Sequence, residues 1–377
     1  MKIAFLTSMS GVPWGGSEEL WSATASEALA AGHQVLASVY RWPEIPRPLQ
    51  RLGELGAGID LRPRSSRIRR SALLTGLLRP FSALKAFDPD VVCVSQGGTY
   101  DVGKRGEFAA LWRQQRAGGW PYVILCQCEQ PAPNQRVQAR VRGVFSRAAA
   151  VGFLGESLQR LSERDLGYPI PAGRSLQNPF NFGEPKRLPW PRGDCLKLLF
   201  VGRLEPVKGV HLILEALSRP VWQARDWRLT VAGEGSQIAS LVAQAQAAGI
   251  AERVEFRGYA RDVLGLWPEH EVLLLPSEAE GLPLVMLEAM LCARPVLATR
   301  VGCIADWVED GRSGFLIERP DTSALEAALE RVWNQRAQLE ALGLQAFDRA
   351  MQLRDPAPAV TLLRCLTAAA TGRRSSE

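Results

Sequence analysis

Short, continuous apolar runs alternate with stretches of helical period along nearly the whole chain. KIAFLT (2–7), QVLASV (34–39), DVVCVS (90–95), YVILC (122–126) and AVGFLG (150–155) are predicted as buried strands, because unbroken Val/Ile/Leu runs suit a sheet covered on both faces. Between the first two, SEELWSATASEALAAG places Trp21, Ala25, Ala28 and Leu29 on one helical stripe, with Ser17 expected as N-cap and Gly32 as the glycine that ends the helix. The β-α-β unit repeats. A second series begins at LKLLFVG (196–202) and continues through WRLTVAG (227–233), RVEFRG (253–258), EVLLLP (271–276), RPVLAT (294–299) and GFLIE (314–318). Between the series runs NPFNFGEPKRLPWPRGD (178–194), with four prolines and no period, the pattern of an interdomain linker. The expectation is an α/β chain with two Rossmann-like, doubly wound domains facing across a cleft. Its parts are a first domain over 1–178, a linker over 179–194, a second domain over 195–355, and a terminal helix and tail over 356–377 that would pack back on the first domain.

Composition adds limits to this picture. A length of 377 residues suits two cores rather than one, and 46% apolar with 22% charged residues is the balance of a folded globular chain. No run approaches 18 apolar residues, and MKIAFLTSMS reads as a strand rather than a secretory leader. Seven scattered cysteines without framework spacing point to free thiols and a cytoplasmic setting. The net charge of +6 is asymmetric: residues 1–180 carry +8 and residues 181–377 carry −2. A basic first half suggests an anionic partner, such as a phosphorylated acceptor, an anionic membrane surface or nucleic acid. The segment RPRSSRIRRSALLTGLLRPFSALKAF (62–87) sets Arg62, Arg64, Arg67, Arg69 and Arg70 before Leu73, Leu74, Leu77, Leu78, Phe81 and Leu84. It reads either as a helix with a solvated basic entry or as a peripheral membrane contact over Arg62–Arg70.

Three loops concentrate candidate chemistry. In VGRLEPVKG (201–209), Gly202 ends a strand tightly, and Arg203 and Lys208 put two cations beside a helix start, where a diphosphate would bind; a plain basic loop is the competing reading. In PSEAEGLPLVMLEAMLCARP (276–295), Glu280 precedes a helix expected to begin near Leu282 and Pro283. The N–H groups within Gly281 to Leu284, those of Gly281, Leu282 and Leu284, could meet a phosphate there. Glu288 lies seven residues past Gly281, on nearly the same stripe, among apolar neighbours that offer it no partner; as a carboxylate it could accept two ribose hydroxyls. In GVPWGGSEE (11–19), Gly15 and Gly16 would let backbone approach a ligand, without the spacing of a nicotinamide fingerprint; a flexible turn is the alternative.

Together and in this order, these motifs resemble the family 4 glycosyltransferases of the GT-B fold, a resemblance that runs through essentially the whole chain. VGRLEPVKG is similar to that family's donor-phosphate loop, EGLPLVMLE to its seven-spaced Glu pair, the glycines at 15–16 to its N-terminal loop, and NPFN at 178 to the opening of its linker. The resemblance implies a retaining hexosyltransferase that uses a nucleotide diphosphate sugar, with a glycan or lipid-linked acceptor in envelope polysaccharide or glycolipid synthesis. It also implies that Arg203 and Lys208 hold the diphosphate, Glu280 contacts the donor sugar and Glu288 binds the ribose, with no metal or other cofactor expected and no nucleic-acid partner. Two positions depart from the pattern. Gln127 stands where many relatives carry a His, which leaves it a candidate sugar or acceptor contact that cannot carry a proton, and Cys303-Ile304-Ala305-Asp306 replaces the usual G-I-P-E.

Asp88-Pro89-Asp90 is literally D-x-D and Cys126/Cys128 is C-x-C, but the first leads into a buried strand and the second has no partner pair or histidine at zinc spacing, so both are read as structural. Two other functions share these features: a sugar-nucleotide epimerase of the same fold, and a catalytically silent sugar-nucleotide-binding subunit, made thinkable by Gln127. A phosphorylase-like enzyme would need a pyridoxal-binding lysine, and beyond Lys208 the second half has only Lys186 and Lys197.

Overall fold

The computed structural model describes residues 1–64, 81–116, 119–180 and 184–374. The chain divides into two compact units, Met1–Pro179 with Asp355–Glu377, and Phe180–Arg354. Each is built on one parallel sheet.

In the first unit the strands are β1 (Lys2–Thr7), β2 (Gln34–Tyr40), β3 (Gly58–Arg62), β4 (Val91–Gln96), β5 (Tyr122–Cys126), β6 (Ala150–Phe153) and β7 (Gly173–Ser175), in the order β3-β2-β1-β4-β5-β6-β7. The predicted strands are buried on both faces, as β4 shows throughout, and this is why their sequences are continuous rather than alternating. The helix Gly16–Ala30 turns Trp21, Ala25 and Ala28 into the core. Its N-cap is Gly15, not Ser17. Ser17 sits inside the first turn, where its carbonyl accepts from the Ser95 hydroxyl, so tertiary contact took this residue out of the capping role. Gly32 follows the helix with φ +78, the left-handed conformation that glycine adopts freely. The terminal helix Pro358–Arg374 contributes Leu362, Leu366 and Ala370 to the same core.

In the second unit the strands are β8 (Leu196–Val201), β9 (Trp227–Ala232), β10 (Val254–Gly258), β11 (Val272–Leu275), β12 (Val296–Thr299) and β13 (Gly314–Ile317), in the order β10-β9-β8-β11-β12-β13. Trp222, Trp227, Phe200 and Phe315 fill its interior between the sheet and the flanking helices. The latter part of the linker is tied to this unit. The buried Arg294 guanidinium donates to the carbonyls of Leu188 and Pro189, as well as to those of Trp267 and His270.

The basic segment is corrected at its first residue. Arg62 ends edge strand β3 and is 2% exposed; its Nη2 donates to the Thr7 and Ser38 carbonyls, and its guanidinium lies over the Tyr40 ring. It is a buried staple between strand ends rather than a solvated cation. Arg64 stacks on Trp42, while Arg67, Arg69 and Arg70 lie outside the described residues.

Candidate donor site

In an open parallel sheet, ligands meet the carboxyl ends of the strands where the strand order reverses. In the second unit that point lies between β8 and β11, the strands that carry the two motif loops. After β8 the chain runs through Gly202 and Arg203 into a 3-10 turn, Pro206–Lys208, then through Gly209 into the helix Val210–Leu217. Gly209 has φ +72, and a Cβ there would stand 2.2 Å from the Pro276 carbonyl oxygen. Only glycine lets the two loops come this close. The Glu278 N–H also donates to the Val207 carbonyl at 2.8 Å, which joins the loops directly.

This brings Lys208 and Glu280 together across 72 residues of sequence. Lys208 Nζ lies 2.6 Å from Glu280 Oε1, with the side chains 18% and 10% exposed. An ammonium has three donors, so one bond to Glu280 leaves two for an anion. Arg203 is exposed on the same loop. The helix following Glu280 spans Leu284–Leu291 with Pro283 as its N-cap, two residues later than the pattern suggested, and no side chain caps it. Its leading N–H groups, together with those of Gly281 and Leu282, make a cationic end beside Lys208.

Glu288 sits one helical turn deeper. Among the described residues, none hydrogen-bonds or ion-pairs with its carboxylate, and burial pushes its pKa up to about 7. A half-buried acid left without a partner is the kind of group a ligand hydroxyl can satisfy.

Two further loops support the site, one noted in the sequence only as a departure from the family pattern and the other not noted at all. After β12, Gly302 has φ +57, and a Cβ there would stand 2.4 Å from the Gly281 carbonyl oxygen and 2.5 Å from that of Glu280. The Cys303 N–H donates to the Gly281 carbonyl at 2.8 Å. The loop departing from the family pattern is therefore the support on which Glu280 rests. After β9, Gly233 and Gly235 pack against Gly202 and Leu204, and Ser236 holds the Glu205 carboxylate through its N–H and hydroxyl. The signal was present as G-E-G-S at the end of a strand, the position where close backbone approach matters.

The first unit holds the other predicted residues. Gly15 has extended backbone, and a Cβ there would meet Val12 at 3.6 Å, an ordinary contact, so nothing within the unit demands glycine at this position. Gly16 opens the helix. Gln127 follows β5 and is 5% exposed, with its Oε1 accepting from Asn178 Nδ2 at 3.0 Å. The two residues singled out at Gln127 and in the NPFN segment thus meet. At this sheet's reversal point, between β1 and β4, Ser8 Oγ donates to Asp101 Oδ2 at 2.7 Å, a buried pair that the pattern did not suggest. The D-x-D carboxylates are engaged structurally: Asp88 accepts from Trp120 Nε1, and Asp90 from the Lys2 N–H.

Residues 195–335 match the family model described as Glycosyl transferases group 1. A glycogen synthase of Mycobacterium tuberculosis is 34% identical over 149 residues, which is 39% of this chain and 36% of that protein. A D-inositol 3-phosphate glycosyltransferase of Paenarthrobacter aurescens is 27% identical over 241 residues, 60% of this chain and 59% of that protein. The chain thus covers between a third and three-fifths of the length of these relatives. Among solved structures, Anabaena HepE in complex with UDP superposes with a TM-score of 0.74 at 18% identity, over 99% of this chain and 100% of that one. The same protein has also been solved with UDP-glucose. At that identity the likeness speaks for the fold, and the sequence match speaks for the second unit: the chain has the GT-B fold, and its residues 195–335 match the glycosyl transferases group 1 model.

Proposed function

We propose that the protein is a retaining hexosyltransferase that moves a sugar from a uridine diphosphate donor to a hydroxyl of a glycan or lipid-linked acceptor. The observation that carries this reading is the Lys208–Glu280 pair at 2.6 Å, set at the strand-order reversal beside an uncapped helix start, with the partnerless Glu288 one turn below. In this reading Arg203, the two remaining donors of Lys208 and the N–H groups before Leu284 hold the diphosphate. Glu280 keeps Lys208 in place through Oε1 and offers Oε2 to a sugar hydroxyl, while Glu288 accepts the ribose hydroxyls. The choice of uridine is supported by the UDP and UDP-glucose complexes of HepE.

The step needs little covalent help from the protein. The acceptor oxygen attacks the anomeric carbon on the face the diphosphate leaves. The bond from that carbon to the phosphate oxygen breaks, its electron pair stays with the diphosphate, and the hydroxyl proton passes to a departing phosphate oxygen. The charge that develops there is stabilised by donors already fixed in position, the largest effect such a site commands. Envelope polysaccharide or glycolipid synthesis is the setting we favour for the acceptor.

Arg203→Ala and Lys208→Ala should each lower turnover by about 100- to 1,000-fold, the scale of one lost oxyanion donor. The measurement is transfer of label from radiolabelled UDP-glucose to a panel of glycans and lipid-linked sugars, with folding checked by circular dichroism. Full turnover in the double variant would remove the diphosphate role. Isomerised donor without transfer would favour an epimerase, and binding without turnover would favour a silent subunit.

A further inference from the structure

The positive charge of residues 1–180 lies in two stretches: residues 62–100 hold seven basic and two acidic residues, and residues 101–147 eight basic and three acidic, net +5 in each. Within the second stretch the helices Phe108–Arg116 and Gln135–Phe145 border a groove lined by Arg113, Arg140 and Arg147, with Arg105, Trp112 and Ala139 between them. Arg113, Arg140 and Arg147 are exposed, and none enters an ion pair among the described residues; Arg105 faces Asp101 at 3.9 Å. The Arg147 guanidinium lies beside Gly143, where a Cβ would stand an ordinary 3.7 Å from its Nη2. Three guanidinium groups held around one depression, with no carboxylate among its lining residues, form a surface that repels itself until an anion arrives.

We propose that this groove docks the first unit on an anionic phospholipid surface, with headgroup phosphates seated among Arg113, Arg140 and Arg147. The lining decides between polyanions. Cationic walls alternate with small apolar side chains and a tryptophan, which suits an amphiphile whose phosphate sits next to hydrocarbon. A single-stranded nucleic acid would use exposed aromatic faces, but Trp112 is 6% exposed and its Nε1 is committed to the Val102 carbonyl. Of the basic run at 62–70, Arg62 is spent inside the sheet edge, and Arg67, Arg69 and Arg70 lie outside the described residues.

The test is co-sedimentation of the full chain with vesicles of phosphatidylglycerol and of phosphatidylcholine. Binding should be confined to phosphatidylglycerol and be released by about 0.5 M salt, where screening shortens to a few ångströms. Replacing Arg113 and Arg140 together by Ser should weaken partitioning about 30-fold, at about fivefold for each basic residue near an anionic leaflet. UDP binding by calorimetry should be unchanged in that variant, which separates this result from any failure of the donor-site reading. The triple replacement of Arg67, Arg69 and Arg70 by Ser should keep most of the binding. Equal sedimentation with both lipids, a groove variant that binds like wild type, loss of binding in the triple variant alone, or tighter capture of an oligonucleotide than of vesicles would each overturn the proposal.

Discussion

Glu280 stands just before the helix Leu284–Leu291 and Glu288 within it, and their surroundings give them different behaviour. Glu280 meets an ammonium at 2.6 Å, whereas no described residue hydrogen-bonds or ion-pairs with the Glu288 carboxylate, and burial raises its pKa to about 7. The raised value means that the folded, unliganded chain holds this proton more tightly than the unfolded chain does. Stability is therefore greatest below the unfolded value near 4.5 and falls as pH climbs through about 7. Glu288→Gln should remove that slope, leaving the variant more stable than wild type at pH 9 by up to about 3 kcal/mol and little different at pH 4, as read by thermal melting. Nucleotide affinity should move the opposite way. A carboxylate accepts two hydroxyls, so wild-type UDP affinity should rise as pH passes upward through about 7, while Glu288→Gln binds weakly without that step in calorimetry. Glu280→Gln should instead leave UDP affinity nearly intact and cut turnover. The reverse assignment of defects would exchange the two roles.

At the scale of elements, the donor site is a junction of loops rather than a surface of any one strand or helix. The loop after β8 carries the cations, the loop after β11 carries Glu280, and the loops after β12 and β9 press on them from either side through Gly302, Gly233 and Gly235. Gly302 is the sharpest point of this arrangement. Its φ of +57 disfavours any side chain, and a Cβ would overlap the backbone of both Glu280 and Gly281. Backbone cannot swing aside as a flexible side chain can. Gly302→Ala should therefore cost about 1–3 kcal/mol of stability and reduce turnover well beyond what that loss explains, because Glu280 is displaced. Unfolding measured together with kcat and KM would check this; unchanged kcat in a destabilised variant would make Gly302 a purely structural residue.

At the scale of the molecule, the two units divide charge and chemistry between them. The second unit carries the proposed diphosphate site on Arg203, Lys208 and a helix start, so neutralisation of the leaving group rests on fixed protein donors. Turnover should accordingly survive EDTA, and a strict requirement for manganese would refute that mechanism. The carboxylates of the D-x-D are not spare ligands, since Asp88 and Asp90 already bond to Trp120 and to the backbone of Lys2. The first unit carries the positive excess and the arginine groove. Its buried Ser8–Asp101 pair lies at the strand-order reversal, where a ligand is met in an open sheet, and a second buried pair joins Gln127, after β5, to Asn178.

The sequence by itself determined the architecture of two parallel sheets, because strands covered on both faces must be apolar throughout and helices between them must keep one apolar stripe. It also marked Arg203, Lys208, Glu280 and Glu288, since charge placed beside a helix start or inside an apolar run stands out locally. The edge strands β3 and β7 were not legible, being short and only partly buried, so that their residues carry no strong pattern. The fate of Arg62 was not legible either: an arginine in a basic run reads as solvated until the strand end beneath it supplies two carbonyls and the Tyr40 ring. Tertiary structure alone decided that Lys208 reaches Glu280, that Gln127 reaches Asn178, and that Gly302 supports the Glu280 loop. Each of these pairings joins separate strand ends, and the order of strands in a sheet is set by how whole layers pack, which no local run of residues records.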